Sequence, residues 1–115
     1  MATALVVEDD PLQREAVCMI LEAAIDEPRM VECATAEAAV AVLDRIGLDI
    51  DLLITDIQLA GDMSGVELAR IARRRFADLQ IIVTSGRVRP DVLPSDAAFL
   101  PKPWRPLELI QHLQR

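Results

Sequence analysis

The sequence has no tyrosine, one tryptophan and two phenylalanines in 115 residues. Aromatic residues make up 3% of the chain and hydrophobic residues 52%, so the core must be built from Leu, Ile, Val and Ala. A chain this apolar is not a disordered tail. Cysteine is also scarce. Cys18 and Cys33 make neither a disulfide framework nor a zinc site, and they read as buried free thiols. Positive charge is in deficit, with 12 Lys and Arg against 19 Asp and Glu, a formal net charge of −7. A domain so charged is a poor match for nucleic acid on its own. Long apolar runs are missing as well. The longest stretch without a charged side chain is eight residues, 79–86, well short of the roughly 20 that span a bilayer. The start, MATALVVEDD, has carboxylates where a signal peptide carries its apolar segment. These absences point to a cytoplasmic domain without a membrane or a direct nucleic-acid partner. The length fits one domain over residues 1–115.

What is present is alternation. Residues 4–7 are a short apolar run ending in carboxylates. Residues 11–25 read as a helix with proline in its first turn, where the missing N–H costs nothing. In it Leu12, Ala16, Ile20 and Ala24 share one face at a spacing of four. Residues 30–34 are an extended candidate. Thr35 is placed to cap a helix over 36–45, and Gly47 to end it. Residues 50–55 form a buried strand, 66–77 a helix with Arg70, Arg73, Arg74 and Arg75 outward, and 79–84 another buried strand. Pro90 and Pro94 interrupt residues 87–96, which hold one or two helical turns at most. Residues 98–100 are a short strand, and 106–114 a closing helix with Leu107, Ile110 and Leu113 inward. Uniformly apolar strands alternating with helices predict a parallel sheet covered on both faces. Ligands of such sheets bind outside the carboxyl ends of the strands.

Those ends share a chemistry. The first strand runs into Glu8, Asp9 and Asp10, the third into Asp56, the fourth into Thr84 and Ser85, and the fifth is followed by Lys102. Asp and Ser also favour turns, so any one of these residues has a trivial reading; the set does not. Carboxylates brought together repel and raise one another's pKa, a conflict that a divalent cation removes. Oxygen ligands with few protein contacts suit Mg²⁺, which shares its shell with phosphate oxygens. One carboxylate in line with a phosphoryl group is a nucleophile. A Lys ammonium and a Thr hydroxyl then suit the phosphoryl oxygens.

In this order and spacing, VVEDDP at 6–11, LLITDIQLAGDMSG at 52–65, IIVTSG at 81–86 and FLPKPW at 99–104 resemble a two-component response-regulator receiver domain, over essentially the whole chain. The resemblance implies a flavodoxin-like doubly wound five-stranded parallel sheet in order 2-1-3-4-5. It implies Asp56 as the phosphoryl acceptor and Glu8, Asp9, Asp56 and the backbone carbonyl of Gln58 as the Mg²⁺ site. Asp9 would be the direct ligand of the acidic pair, with Glu8 acting through water. Thr84 matches the hydroxyl residue that moves toward the phosphoryl group, and Phe99 the aromatic that changes rotamer with it. Lys102 matches the family lysine and Pro103 its companion, often joined by a cis peptide bond. The donor would be a histidine kinase or a histidine phosphotransfer protein. The implied protein is a signalling receiver that catalyses its own phosphorylation and dephosphorylation, not an enzyme acting on a separate substrate. It would be a stand-alone regulator or a receiver from a longer protein such as a hybrid kinase.

Departures from the pattern are local. Ala60 stands where proline is usual, in a loop one residue longer than usual. The interval from Thr84 to Lys102 is about a helical turn short, so the helix between the fourth and fifth strands should be short, displaced or absent, and the usual dimer through it unused. Gln58 near the rim and Gly86 two residues beyond Thr84 leave the site open to water and favour a short to moderate phosphoryl lifetime. His112 reads as a surface residue, Arg73 to Arg75 as a solvated face or partner contact, and Trp104 as packing at the start of the last helix or as part of an output surface. The alternative is a receiver-like interaction module that is never phosphorylated. The complete acidic set with Thr84 and Lys102 weighs against it. An aspartate-based phosphatase would need a cap segment that no stretch is long enough to form. A flavin site would need a Ser, Thr and Gly-rich loop where Glu8, Asp9 and Asp10 stand.

Overall fold

The apolar runs become the middle of one parallel sheet. β1 (Thr3–Val7), β3 (Leu52–Asp56) and β4 (Gln80–Ser85) are buried along nearly their whole length. β2 (Arg29–Cys33) and β5 (Ala98–Pro101) form the edges. The order is β2-β1-β3-β4-β5, with every pairing parallel, as the resemblance implies. The structure is a computed structural model that describes residues 2–87 and 92–113.

Side chains alternate across the strands, which makes two core layers. Leu5, Val7, Leu53, Ile81 and Val83 pack with α2 (Ala36–Ile46) and α3 (Gly65–Arg75) on one face. Ala4, Val6, Leu52, Ile54, Ile82 and Leu100 pack with α1 (Pro11–Ala24) and α4 (Pro106–Leu113) on the other. Cys33 lies in the first layer and Cys18 in the second, both free and buried. Burial, helped by the charge of Glu32, pushes the Cys18 thiol up to about 11, which leaves it unreactive at neutral pH.

Local chemistry sets where the helices begin. Asp10 caps α1, its Oδ1 accepting from the N–H groups of Leu12 at 2.9 Å and Gln13 at 3.4 Å, with Pro11 in the first turn. Thr35 caps α2 through the N–H of Ala38 at 3.1 Å, and Ser64 caps α3 through that of Glu67 at 3.3 Å. Gly65 opens α3 against the end of β3. A Cβ there would lie 1.9 Å from the Asp56 carbonyl oxygen, so only glycine lets the helix start this close to the strand.

Three expectations are corrected. In α1 the buried residues are Val17, Cys18 and Leu21. Leu12 is 77% exposed, Ala16 and Ala24 are exposed, and Ile20 is half-buried. The helix is apolar on two sides, and the side with Val17, Cys18 and Leu21 takes the core. In α4 Leu109 is fully buried and Leu107 is 62% exposed, while Ile110 and Leu113 are half-buried. Arg73 does not join a solvated face. It donates to Asp96 at 3.1 Å and to the carbonyls of Phe76 and Ala77, closing the end of α3.

The described part of the shortened interval, residues 92–102, is as expected. Residues 92–97 form turns and no helix. Leu93 and Ala97 are buried in the core layer of α2 and α3. Pro90 lies outside the described residues. The long loop after β3 is tied to α2. The Glu37 carboxylate accepts from the N–H groups of Asp62 at 2.9 Å and Met63 at 3.3 Å, and Thr35 bridges Ala60.

Candidate functional site

The site lies at the carboxyl ends of β1, β3 and β4, where the sheet order brings residues 8, 56, 84 and 102 together. Backbone hydrogen bonds fix that rim. The N–H of Glu8 donates to Cys33 O at 3.0 Å, that of Ile57 to Thr84 O at 3.1 Å and that of Lys102 to Ser85 O at 2.8 Å. The last follows β5 directly and delivers the lysine to the centre. The Lys102–Pro103 bond is cis.

Glu8 and Asp56 are buried, at 5% and 7% exposure, and Asp9 is exposed. One carboxylate oxygen from each lies within 4.8 Å of the others. Lys102 joins two of them. Its Nζ donates to Asp56 Oδ2 at 2.8 Å, to Glu8 Oε1 at 3.1 Å and to Gln13 Oε1 at 2.6 Å. All three ammonium protons are thus engaged. The second Asp56 oxygen accepts from the N–H of Gln58 at 3.3 Å.

Two groups carry shifted proton affinities. Burial raises Glu8 above the ordinary carboxylate range and the nearby Asp56 charge adds to this, against the opposing bond from Lys102. Burial alone would lower Lys102, but its bonds to Asp56 and Glu8 and their charges outweigh that and leave it raised. The ammonium therefore stays charged and holds the two carboxylates together.

Three hard oxygen donors of like charge, within a few ångströms and only one of them in full contact with solvent, suit a divalent cation such as Mg²⁺. A cation would relieve the repulsion that Lys102 offsets only in part.

The structure brings Glu8, Asp9, Asp56, Gln58, Thr84 and Lys102 to the one rim. Phe99 is placed differently. It stands opposite Val83 in the sheet and packs in the layer of Leu93 and Ala97. The hydroxyl of Thr84 instead accepts from the indole N–H of Trp104 at 3.0 Å. Across the rim, Ser85 donates to Gln58 Oε1 at 3.0 Å. Gly86 is exposed, and a Cβ on it would meet nothing within 4 Å. An open groove of about 650 Å³ runs from Glu8, Gln13 and Lys102 along Ala16, Ile20 and Trp104.

Sequence reading missed two residues here. Gln13 was visible in principle, since it sits in the first turn of a helix that starts at the rim. The bond from Trp104 to Thr84 has no sequence signal beyond an aromatic two residues after Lys102.

Comparison with known proteins agrees with this geometry. The family model described as response regulator receiver domain matches residues 4–114. A CheY-like response regulator receiver domain protein from Methanospirillum hungatei superposes with a TM-score of 0.85 at 25% identity, covering 99% of this chain and 91% of that one. A receiver domain protein from Clostridium thermocellum gives 0.86 at 18% identity, over 99% and 92%. The Vibrio cholerae chemotaxis protein CheY4 gives 0.82 at 24%, over 100% and 98%. No helix among the described residues is long and apolar enough to cross a membrane.

Proposed function

The chain belongs to the response regulator receiver domain family, and on that premise we propose that Asp56 accepts a phosphoryl group from the phosphohistidine of a histidine kinase or histidine phosphotransfer protein. Receiver domains are signalling modules of two-component systems, and the family binds Mg²⁺ at an acidic pocket. The observation that carries the reading is the placement of the Lys102 ammonium on both Asp56 and Glu8, with Asp9 beside them.

In the proposed step a carboxylate oxygen of Asp56 attacks phosphorus as the P–N bond to imidazole breaks. The electron pair of that bond returns to the ring nitrogen, which leaves and takes up a proton. Lys102 is already within hydrogen-bond distance of Asp56 and is the ammonium for the phosphoryl oxygens, where charge is spread as the bond breaks. The Gln58 N–H holds one carboxylate oxygen and so orients the other. Glu8, Asp9, Asp56 and the Gln58 carbonyl would hold Mg²⁺. When bound, it would supply charge neutralisation between the acidic residues and the phosphoryl oxygens. Thr84 is the hydroxyl on the neighbouring strand. The added charge of about −2 then biases two conformations of the domain. We place this chemistry in the cytoplasm.

The test is transfer from protein donors. A set of autophosphorylated histidine kinases is mixed with wild type and with Asp56→Asn. Loss of label from a kinase and its gain by wild type alone is the expected result. Transfer to Asp56→Asn, or none from any donor to a folded wild type, contradicts it and favours a module that works without phosphorylation.

A further inference from the structure

We propose that Trp104 is a positioning residue that latches Thr84 in the unmodified protein and releases it when Asp56 is modified. The inference rests on the reading of Asp56 given above. Thr84 is buried and pairs with Asp56 in the sheet register. A hydroxyl has one proton and two acceptor sites, whereas an indole N–H only donates. In its bond with Trp104 at 3.0 Å, Thr84 therefore serves as acceptor. Meanwhile the Asp56 carboxylate is held by Lys102 on one oxygen and by the Gln58 N–H on the other. The indole thus holds Thr84 Oγ1 on the Trp104 side, while both Asp56 oxygens take their hydrogen bonds from other donors.

Modification of Asp56 changes that balance. A phosphoryl group brings charged acceptor oxygens, and a hydroxyl bond to a charged oxygen is about twice as strong as a neutral one. Thr84 is β-branched, with few discrete χ1 wells. Turning Oγ1 toward Asp56 takes it from Trp104, and the half-buried indole N–H must find another partner. The ring then moves within the groove it shares with Ala16, Ile20 and Pro106. Phe99 packs in the opposite core layer, so the aromatic coupled to Thr84 in this chain is Trp104. The signal leaves on the α1 and α4 side of the sheet, away from residues 92–97, which form no helix.

The single tryptophan makes the test direct, because the ¹⁵N-labelled full chain shows one indole N–H resonance. Three proteins are compared, wild type, Thr84→Val and Trp104→Phe, with Mg²⁺ alone and with Mg²⁺ plus beryllofluoride as the phosphoryl analogue. Bound beryllofluoride is read separately by ¹⁹F NMR. In wild type the indole resonance is expected to shift on adding beryllofluoride. Thr84→Val should show that shift already without it and move little further. Trp104→Phe keeps an aromatic ring, though a smaller one, and loses the donor, so it should bind beryllofluoride about threefold to tenfold more tightly, the value of one lost hydrogen bond in the unmodified state. A purely packing role for Trp104 would not raise that affinity. An indole resonance unchanged by Thr84→Val, or equal or weaker affinity in Trp104→Phe, overturns the latch. No bound ¹⁹F signal in wild type instead overturns the Asp56 reading on which it rests.

Discussion

Lys102 Nζ lies 2.8 Å from Asp56 Oδ2 and 3.1 Å from Glu8 Oε1, one cation clamped between two nearly buried carboxylates. The side chain of Lys102 is 24% exposed, against 9% for Asp56 and 6% for Glu8. The two acids are therefore poorly screened by solvent, and the lysine is their main compensation when no cation is bound.

Removing the ammonium should hurt in two ways. Lys102→Ala leaves Glu8 and Asp56 facing each other, at an expected cost of about 2 kcal/mol, at the low side for a buried pair because the lysine is partly exposed. Urea unfolding in chelator reads this. Phosphorylation of Asp56 should slow by about a hundredfold, the usual effect of losing one charge-stabilising donor. An unchanged midpoint or an unchanged rate contradicts the assigned role.

Glu8 should govern a pH-dependent response to Mg²⁺. Its pKa is raised above the ordinary 4.5, mainly by burial. A carboxyl group raised on folding favours the folded state when protonated, and that contribution is lost as pH rises through its folded value. In chelator, wild type should lose stability relative to Glu8→Gln as pH climbs above 4.5. Mg²⁺ at a hundredfold excess over its Kd should restore about 2.7 kcal/mol, and this gain should shrink as pH falls back through the Glu8 pKa. Thermal unfolding with and without Mg²⁺ across pH reads both. A Mg²⁺ gain of equal size in Glu8→Gln would contradict the placement of Glu8 at the cation.

Gly65 is a steric requirement of the site. In Gly65→Ala the new Cβ meets the Asp56 carbonyl oxygen at 1.9 Å, and both are backbone-fixed. The expected loss is about 2–4 kcal/mol, since neither α3 nor β3 yields without repacking. Denaturant unfolding measures it, and wild-type stability in this variant would mean that α3 does not start so close to β3.

Phosphoryl lifetime should respond to Gly86. A Cβ there meets nothing within 4 Å, so Gly86→Ile is expected to fold normally. It should shield Asp56 from water and slow hydrolysis several-fold. The decay of the phosphorylated form, followed by intact mass, decides this. A wild-type form stable for hours would contradict the open site from the start.

The strands were the most legible part of the sequence, because three largely apolar runs ending in Asp, Glu, Thr or Ser leave little choice but a covered parallel sheet. The acid, hydroxyl and lysine positions followed from the same order, since strand ends of a parallel sheet share one rim. The inward faces of α1 and α4 were harder. Leu12, Ala16 and Ile20 make as regular a stripe as Val17 and Leu21, and only packing against Ala4, Val6 and Ile54 decides between them. Leu107 and Leu109 pose the same problem at the last helix. The role of Gln13 depends on where Lys102 Nζ ends up, 89 residues away along the chain. A distance that long is set by tertiary packing, and no local pattern encodes it.

The most direct test of the central claim needs no partner. Wild type and Asp56→Asn are incubated with phosphoramidate or acetyl phosphate, with Mg²⁺ or with chelator, and weighed intact. The account predicts one phosphoryl addition to wild type in Mg²⁺, and none in chelator or in Asp56→Asn. Addition that persists in Asp56→Asn, or that ignores the chelator, would contradict it.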